Sequence, residues 1–116
     1  MKVAVVSDDF RTLTGKVEEA RRFLLFEAQK GKRPQLEKYF ELPVNCPTYR
    51  ELPKDEASFH PIDGMVVIAN EAQPSYQGFL AQRGTRVHVT SVPDPHTAVA
   101  LWLDGALPSK ARTHHP

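Results

Sequence analysis

Met65-Val66-Val67-Ile68-Ala69 and Thr85-Arg86-Val87-His88-Val89 are two short apolar runs, and Val3-Ala4-Val5-Val6 near the start of the chain has the same character. Unbroken runs of this length, rich in Val and Ile, suit strands covered on both faces, as in the parallel part of an α/β sheet. Parallel strands gather the loops that follow them at one rim. Ligands of open α/β sheets sit outside the carboxyl ends of the strands, where the order of connections reverses. Function is therefore expected in residues 7 to 20, 70 to 75 and 90 to 96.

The segments between these runs supply the remaining elements. Pro74 suits the first turn of a helix that ends before Gly84, with Tyr76, Phe79 and Leu80 as its apolar stripe. Asp94 is a natural N-cap, Pro95 fits the first helical position, and Val99, Trp102 and Leu103 mark a buried face before Gly105 stops the helix. Near the start, Phe10 to Glu19 is polar and reads as a loop with at most one irregular helical turn. Phe23-Leu24-Leu25-Phe26 is a further buried strand. The polar turn Gln29 to Arg33 joins it to Gln35–Glu41 in a hairpin. In that last strand Leu36, Lys38 and Phe40 are expected on one face and Glu37, Tyr39 and Glu41 on the other, the half-exposed pattern of a sheet edge. Residues 43 to 61 carry Pro43, Pro47, Pro53 and Pro61, which exclude a long regular element. A short helical turn is expected at Lys54 to Phe59, and the whole connection is a lid candidate. Lys110 to Pro116 has no apolar anchor and is expected to fray.

A chain of 116 residues suits one domain with one core. With 25% charged residues and a formal charge of +1 it offers no broad field for nucleic acid or an anionic membrane. Its apolar runs are far too short to span a bilayer or form a signal-peptide core, so a cytoplasmic location is expected. Cys46 is the single cysteine, which rules out an internal disulfide.

Four pieces, in order, resemble the dinitrogenase iron-molybdenum cofactor biosynthesis family, the group containing NifX, NafY and the C-terminal part of NifB. They are Met1-Lys2-Val3-Ala4-Val5-Val6-Ser7-Asp8, Ala20-Arg21-Arg22-Phe23-Leu24-Leu25-Phe26-Glu27, Leu80-Ala81-Gln82-Arg83-Gly84-Thr85-Arg86-Val87 and Ala100-Leu101-Trp102-Leu103-Asp104-Gly105-Ala106-Leu107. The resemblance implies an α/β domain over residues 1–107, a five-stranded mixed β-sheet flanked by helices in a ribonuclease H-like arrangement, with 108–116 as a flexible tail. It also implies a non-enzymatic role in binding or passing on an iron-molybdenum cofactor or its iron-sulfur precursors, with nitrogenase assembly proteins as partners. Members of that family commonly carry His-Phe-Gly before the Ala-Arg strand entry, the His being a favoured cluster ligand. Lys16, Val17 and Glu18 stand there in this chain. A protonated lysine cannot coordinate iron or molybdenum, but it can pair with an anionic cluster or its organic acid.

For such a cargo, Lys16 and Arg21 are the candidate sources of charge, and Cys46, His60 and His96 the candidate donors. One thiolate cannot hold a cluster alone, and no metal-ligand spacing links Cys46 to a second donor. His96 falls in the first turn of a helix at the rim, where free backbone donors favour an anion. His88 lies inside a strand and reads as a sheet residue, and His114 and His115 belong to the tail. Two readings from other classes stand beside the carrier. One keeps the fold and drops the cluster, leaving a protein-interaction or regulatory module. The other is a magnesium-dependent nuclease with Asp8, Asp9, Asn70 and Glu71 converging from neighbouring strand ends. Lys30, Lys32 and Arg33 make a solvated hairpin tip, without the interleaved aromatics a nucleic-acid surface uses.

Overall fold

The computed structural model describes residues 1–53 and 59–110. All of the helical turn expected at Lys54 to Phe59 except Phe59 itself falls outside them, as do His114 and His115. The strands are β1 (Lys2–Val6), β2 (Arg22–Glu27), β3 (Gln35–Glu41), β4 (Val66–Ala69) and β5 (Arg86–Val89); α1 (Pro74–Gln82) connects β4 to β5, and α2 (Pro95–Leu103) follows β5. The five strands form one sheet in the order β3-β2-β1-β4-β5. β1, β4 and β5 are parallel neighbours, whereas β2 pairs antiparallel with both β1 and β3. This is the expected single-domain α/β fold, a mixed sheet of ribonuclease H-like order.

The burial pattern explains the order. Val3 to Val6 and Val67 to Ala69 have no exposed surface, so β1 and β4 take the middle, where both faces are covered. One face carries Ala4, Val6, Phe23, Val67 and Leu80 of α1. The other carries Val3, Val5, Leu24, Phe26, Ile68 and Val99 of α2. The start of α2 is fixed as its sequence requires: Asp94 accepts from the Thr97 N–H at 2.9 Å and from the Thr97 hydroxyl at 2.8 Å. These two bonds hold the Asp94 carboxyl below its usual range.

The expected face pattern of β3 changes on contact with the structure. The strict alternation in β3 fails, because its register with β2 shifts between Leu25↔Lys38 and Phe26↔Leu36, leaving Glu37 as the extra residue of a bulge. Leu36 therefore packs with the α2 face while Phe40 packs with the α1 face, and Lys38 lies over the Phe40 ring at 5.5 Å. The described parts of the proline-rich connection form a wall of the core, from which Arg50 lines the cleft beside Lys16. Tyr49, Leu52 and Ile62 are buried in the α1-side cluster. Proline denies this stretch a regular ladder but does not prevent burial, and side chains satisfy its backbone: Arg21 Nη2 donates to the carbonyls of Pro43 (2.7 Å) and Cys46 (3.1 Å).

The chain after α2 is tied down further than its composition suggests. Leu107 packs on the α2-side core, the Lys110 N–H donates to the Val89 carbonyl at 2.8 Å, and the Lys110 ammonium reaches Asn70 Oδ1 at 3.2 Å. Lys110 is thus anchored instead of frayed, and residues 111–116 lie outside the described part.

Candidate functional site at the carboxyl rim

The loops after the three parallel strands meet at one rim. The Thr14 N–H returns to the Val6 carbonyl (3.1 Å), the Leu13 N–H reaches the Pro93 carbonyl (2.8 Å), and Asn70 Nδ2 donates to the Thr90 carbonyl (3.3 Å). The loop after β1 is further stitched to the segment after β4. Glu71 N–H donates to Gly15 O (3.1 Å) and Val17 N–H to Glu71 O (3.0 Å), with Lys16 and Glu71 forming a parallel bridge. A 3-10 turn at Val17–Glu19 then leads into β2.

Lys16 sits at the centre of the rim. It lines a cleft of about 180 Å³ with Glu18, Arg50, Glu71, Ala72 and Gln73. It also lines an adjoining one of about 410 Å³ with Asp8, Gly15, Glu19 and Glu71. Gly15 has φ +104°, and a Cβ there would lie 2.9 Å from Asp8 Oδ1, so both backbone and space require glycine. Glu18 is almost fully buried, accepts from the Gln73 N–H at 3.3 Å and lies 3.7 Å from Arg50. Arg50 is shared with Glu19 at 3.0 Å, whereas Lys16 has no ion pair among the described residues. Asp8, Glu19 and Glu71 around Lys16 make this a surface of mixed charge.

The other candidates do not join Lys16. Arg21 spends its guanidinium on the carbonyls of Pro43 and Cys46 and approaches Glu51 at 3.7 Å. Arg21 and Cys46 are therefore neighbours, but through the Cys46 backbone; the thiol is half-buried against the α1-side core and contacts the Pro47 carbonyl at 3.8 Å. His60 is wholly inside that core. Its ring stacks on Tyr49 at 3.8 Å and meets the Phe23 edge at 6.3 Å, and Nδ1 accepts from the Ile62 N–H at 3.1 Å. Nε2 is buried without a hydrogen-bond partner among the described residues. Burial, partly countered by the Asp63 carboxylate and reinforced by Arg83, lowers the His60 pKa from 6.5 to about 4. His96 lies across the sheet from His60, edge-on to Phe26 at 4.9 Å. Phe26 pairs with Val3 at the amino end of β1, away from the rim. Cys46, His60 and His96 therefore build no common ligand cage.

Of the magnesium constellation, Asp8 and Glu71 line one cleft, while Asp9 and Asn70 are engaged elsewhere. Asp9 Oδ1 accepts from the N–H groups of Arg11 (2.9 Å) and Thr12 (2.8 Å), bonds that lower its pKa far below the usual range and turn it into its own loop. Asn70 is engaged by Lys110. No group of three or more His, Cys, Asp or Glu side chains among the described residues is placed to hold a metal ion. His88 accepts from Trp102 Nε1 at 3.3 Å within the sheet-helix packing, as a structural histidine does.

Sequence reasoning missed a clasp at the other end of the sheet, before the amino ends of β4 and β5. Asp63 accepts from Arg83 Nε (2.9 Å) and Nη2 (2.8 Å), the Tyr49 hydroxyl (2.9 Å) and the His60 N–H (3.0 Å). Burial pushes the Asp63 carboxyl up, but the bonds from Arg83, His60 and Tyr49 outweigh it and leave the pKa below its ordinary value. Burial and then the Asp63 charge drive the Tyr49 phenol well above its own. No local spacing announces this cluster, since Tyr49, Asp63 and Arg83 come from three separate segments.

Fold and rim together define a single-domain α/β protein with a mixed five-stranded sheet and a polar cleft at the carboxyl ends of its parallel strands. Among solved structures it is similar to PH0822, with a TM-score of 0.67 at 18% identity over 95% of this chain and 96% of that one. It is likewise similar to a protein of Methanocaldococcus jannaschii described as a "putative dinitrogenase", with a TM-score of 0.61 at 14% identity over 96% and 95% of the two chains. Likeness at such identities shows a shared fold. No family model and no curated protein matches the chain. No helix among the described residues is long and apolar enough to cross a membrane.

Proposed function

We propose that this chain is a small non-enzymatic binding domain of the nitrogenase-related type, which receives an iron-molybdenum cofactor or an iron-sulfur precursor as transient cargo at the rim around Lys16. The observation that carries this reading is the meeting of the loops after β1 and β4 at two adjoining clefts, in which Lys16 has no ion pair among the described residues. The fold shared with the "putative dinitrogenase" and the ordered pieces of sequence resemblance supply the cargo class. Cys46, His60 and His96 do not fit a protein-built cage, so the cargo is held by charge and backbone groups and exchanges readily. Asp8, Glu19 and Glu71 weaken the hold on a polyanion further, which suits a carrier more than a store. Anaerobic titration with a reconstituted iron-sulfur cluster, followed by optical and paramagnetic spectra, tests this. A bound species that weakens on Lys16→Ala supports the reading, and no bound species at micromolar protein overturns it.

The scatter of the three donors favours a second reading, a cluster-free protein-interaction or regulatory module with nitrogenase assembly proteins as its partners. A pull-down from metal-depleted extract that recovers one partner supports the module. Capture that needs prior cluster loading supports the carrier.

A further inference from the structure

Apart from the Lys110 N–H at the Val89 carbonyl, the outer edge of β5 has no backbone partner among the described residues, and a groove lies beside it. The Arg86 N–H bonds back to Met65 (3.3 Å) and the Thr90 N–H to Ala69 (3.0 Å), so the backbone groups of residues 86, 88 and 90 turn toward β4. Those of Val87 and Val89 therefore turn outward. A groove of about 550 Å³ straddles this edge. On its α1 side are Gln77, Ala81 and Val87; on the other are Arg86 and His88, which share the face of their β4 partners Val66 and Ile68. Two further observations say what fits. The Val89 carbonyl already accepts the Lys110 N–H at 2.8 Å, so this edge presents a backbone acceptor that an extended segment can reach. Arg86 is exposed and has no ion pair among the described residues, which sets the sign of the missing partner.

We propose that the β5 edge is a strand-addition site for an extended segment of a partner protein, with an acidic side chain toward Arg86 and a small apolar one toward Ala81. Backbone bonds to Val87 supply the affinity, and Arg86 with Ala81 supplies the selection of alternate side chains. The opposite edge does not compete, because β3 carries a bulge at Glu37 and an exposed Lys38, two features that discourage strand pairing. This site is separate from the Lys16 cleft and stands whether or not a cluster binds there.

The test uses the full chain, isotope-labelled, with a short synthetic peptide alternating valine and glutamate and a control alternating valine and lysine. The glutamate peptide is expected to shift the Val87 and Val89 amide resonances and to slow exchange of the Val87 N–H. Arg86→Glu should weaken it about tenfold and reverse the preference between the peptides. Val87→Pro, which removes an outward donor and no β4 bond, should abolish binding; if that variant fails to fold, a glutamate peptide N-methylated on its pairing amides gives the same reading. Equal binding of both peptides, or shifts confined to other residues, overturns the proposal. So does a Val87 amide already protected in the free protein, whether by a second copy, seen as concentration dependence, or by the chain's own residues.

Discussion

Acidification should reveal His60. Its ring is enclosed by Tyr49 and Phe23, one nitrogen accepts from Ile62, and the other has no acceptor among the described residues. Protonation therefore places a charge in a desolvated position where only the Asp63 carboxylate, in part, offsets the lost solvation. With a folded pKa of about 4 against 6.5 for the free side chain, the unfolded chain binds the proton more tightly. Stability from the neutral imidazole is complete above pH 6.5 and falls as the pH drops toward 4. The slope approaches about 1.4 kcal/mol per pH unit, and the total loss by pH 4 is about 3 kcal/mol. Asp63, whose folded pKa lies below its ordinary value of 3.8, adds stability that is lost mainly as the pH falls below that value, under the His60 window. The assay is urea unfolding at a series of pH values for the natural chain and for His60→Asn, whose side-chain oxygen can still accept from Ile62 but does not titrate. The variant should be less stable overall yet lack the slope between pH 6.5 and 4. Parallel profiles, or a His60 pKa near 6.5 by NMR titration, would refute the reasoning.

Three other outcomes are expected. Asp63→Ala leaves Arg83 and the Tyr49 hydroxyl without their shared acceptor and should cost about 3 kcal/mol, which by differential scanning calorimetry is a Tm lower by about 12 °C for a domain of this size. Gly15→Ala forces a side chain into a left-handed backbone and against the Asp8 carboxylate, so thermal unfolding should show a loss of about 1–2 kcal/mol, and amide shifts should spread through Asp8 and Glu71. Asp94→Ala removes the cap of α2 and should cost about 1 kcal/mol in urea unfolding, with amide exchange speeding first at Thr97.

The sheet was legible because its strands obey local rules. Val3 to Val6 and Val66 to Ala69 are apolar at every position, which only a doubly covered strand tolerates, and Asp94-Pro95 announces a helix start within two residues. What depended on distant packing was not legible. The bulge at Glu37 moves Leu36 to the other face, and the alternating pattern of β3 carries no mark of it. The stretch from Pro43 to Pro61 reads as loose because prolines forbid periodicity, while the apolar residues within it, Tyr49 and Leu52, were the sign that it packs. The rim itself followed from strand direction, and Lys16 lies there as expected. Cys46, His60 and His96 were grouped by chemistry alone, and chemistry does not say which side of a sheet a residue occupies.

The central place of β1 has a consequence for the order in which the chain is made. Its antiparallel neighbour β2 emerges from the ribosome soon after it, so the β1-β2-β3 meander can form from local contacts. The opposite flank of β1, Val3 to Val5, must wait for β4, which begins at Val66. Until then the nascent chain displays a bare valine ladder. A ribosome stalled before Val66, or a fragment cut in the preceding connection, would expose a sticky template that invites mispairing between copies.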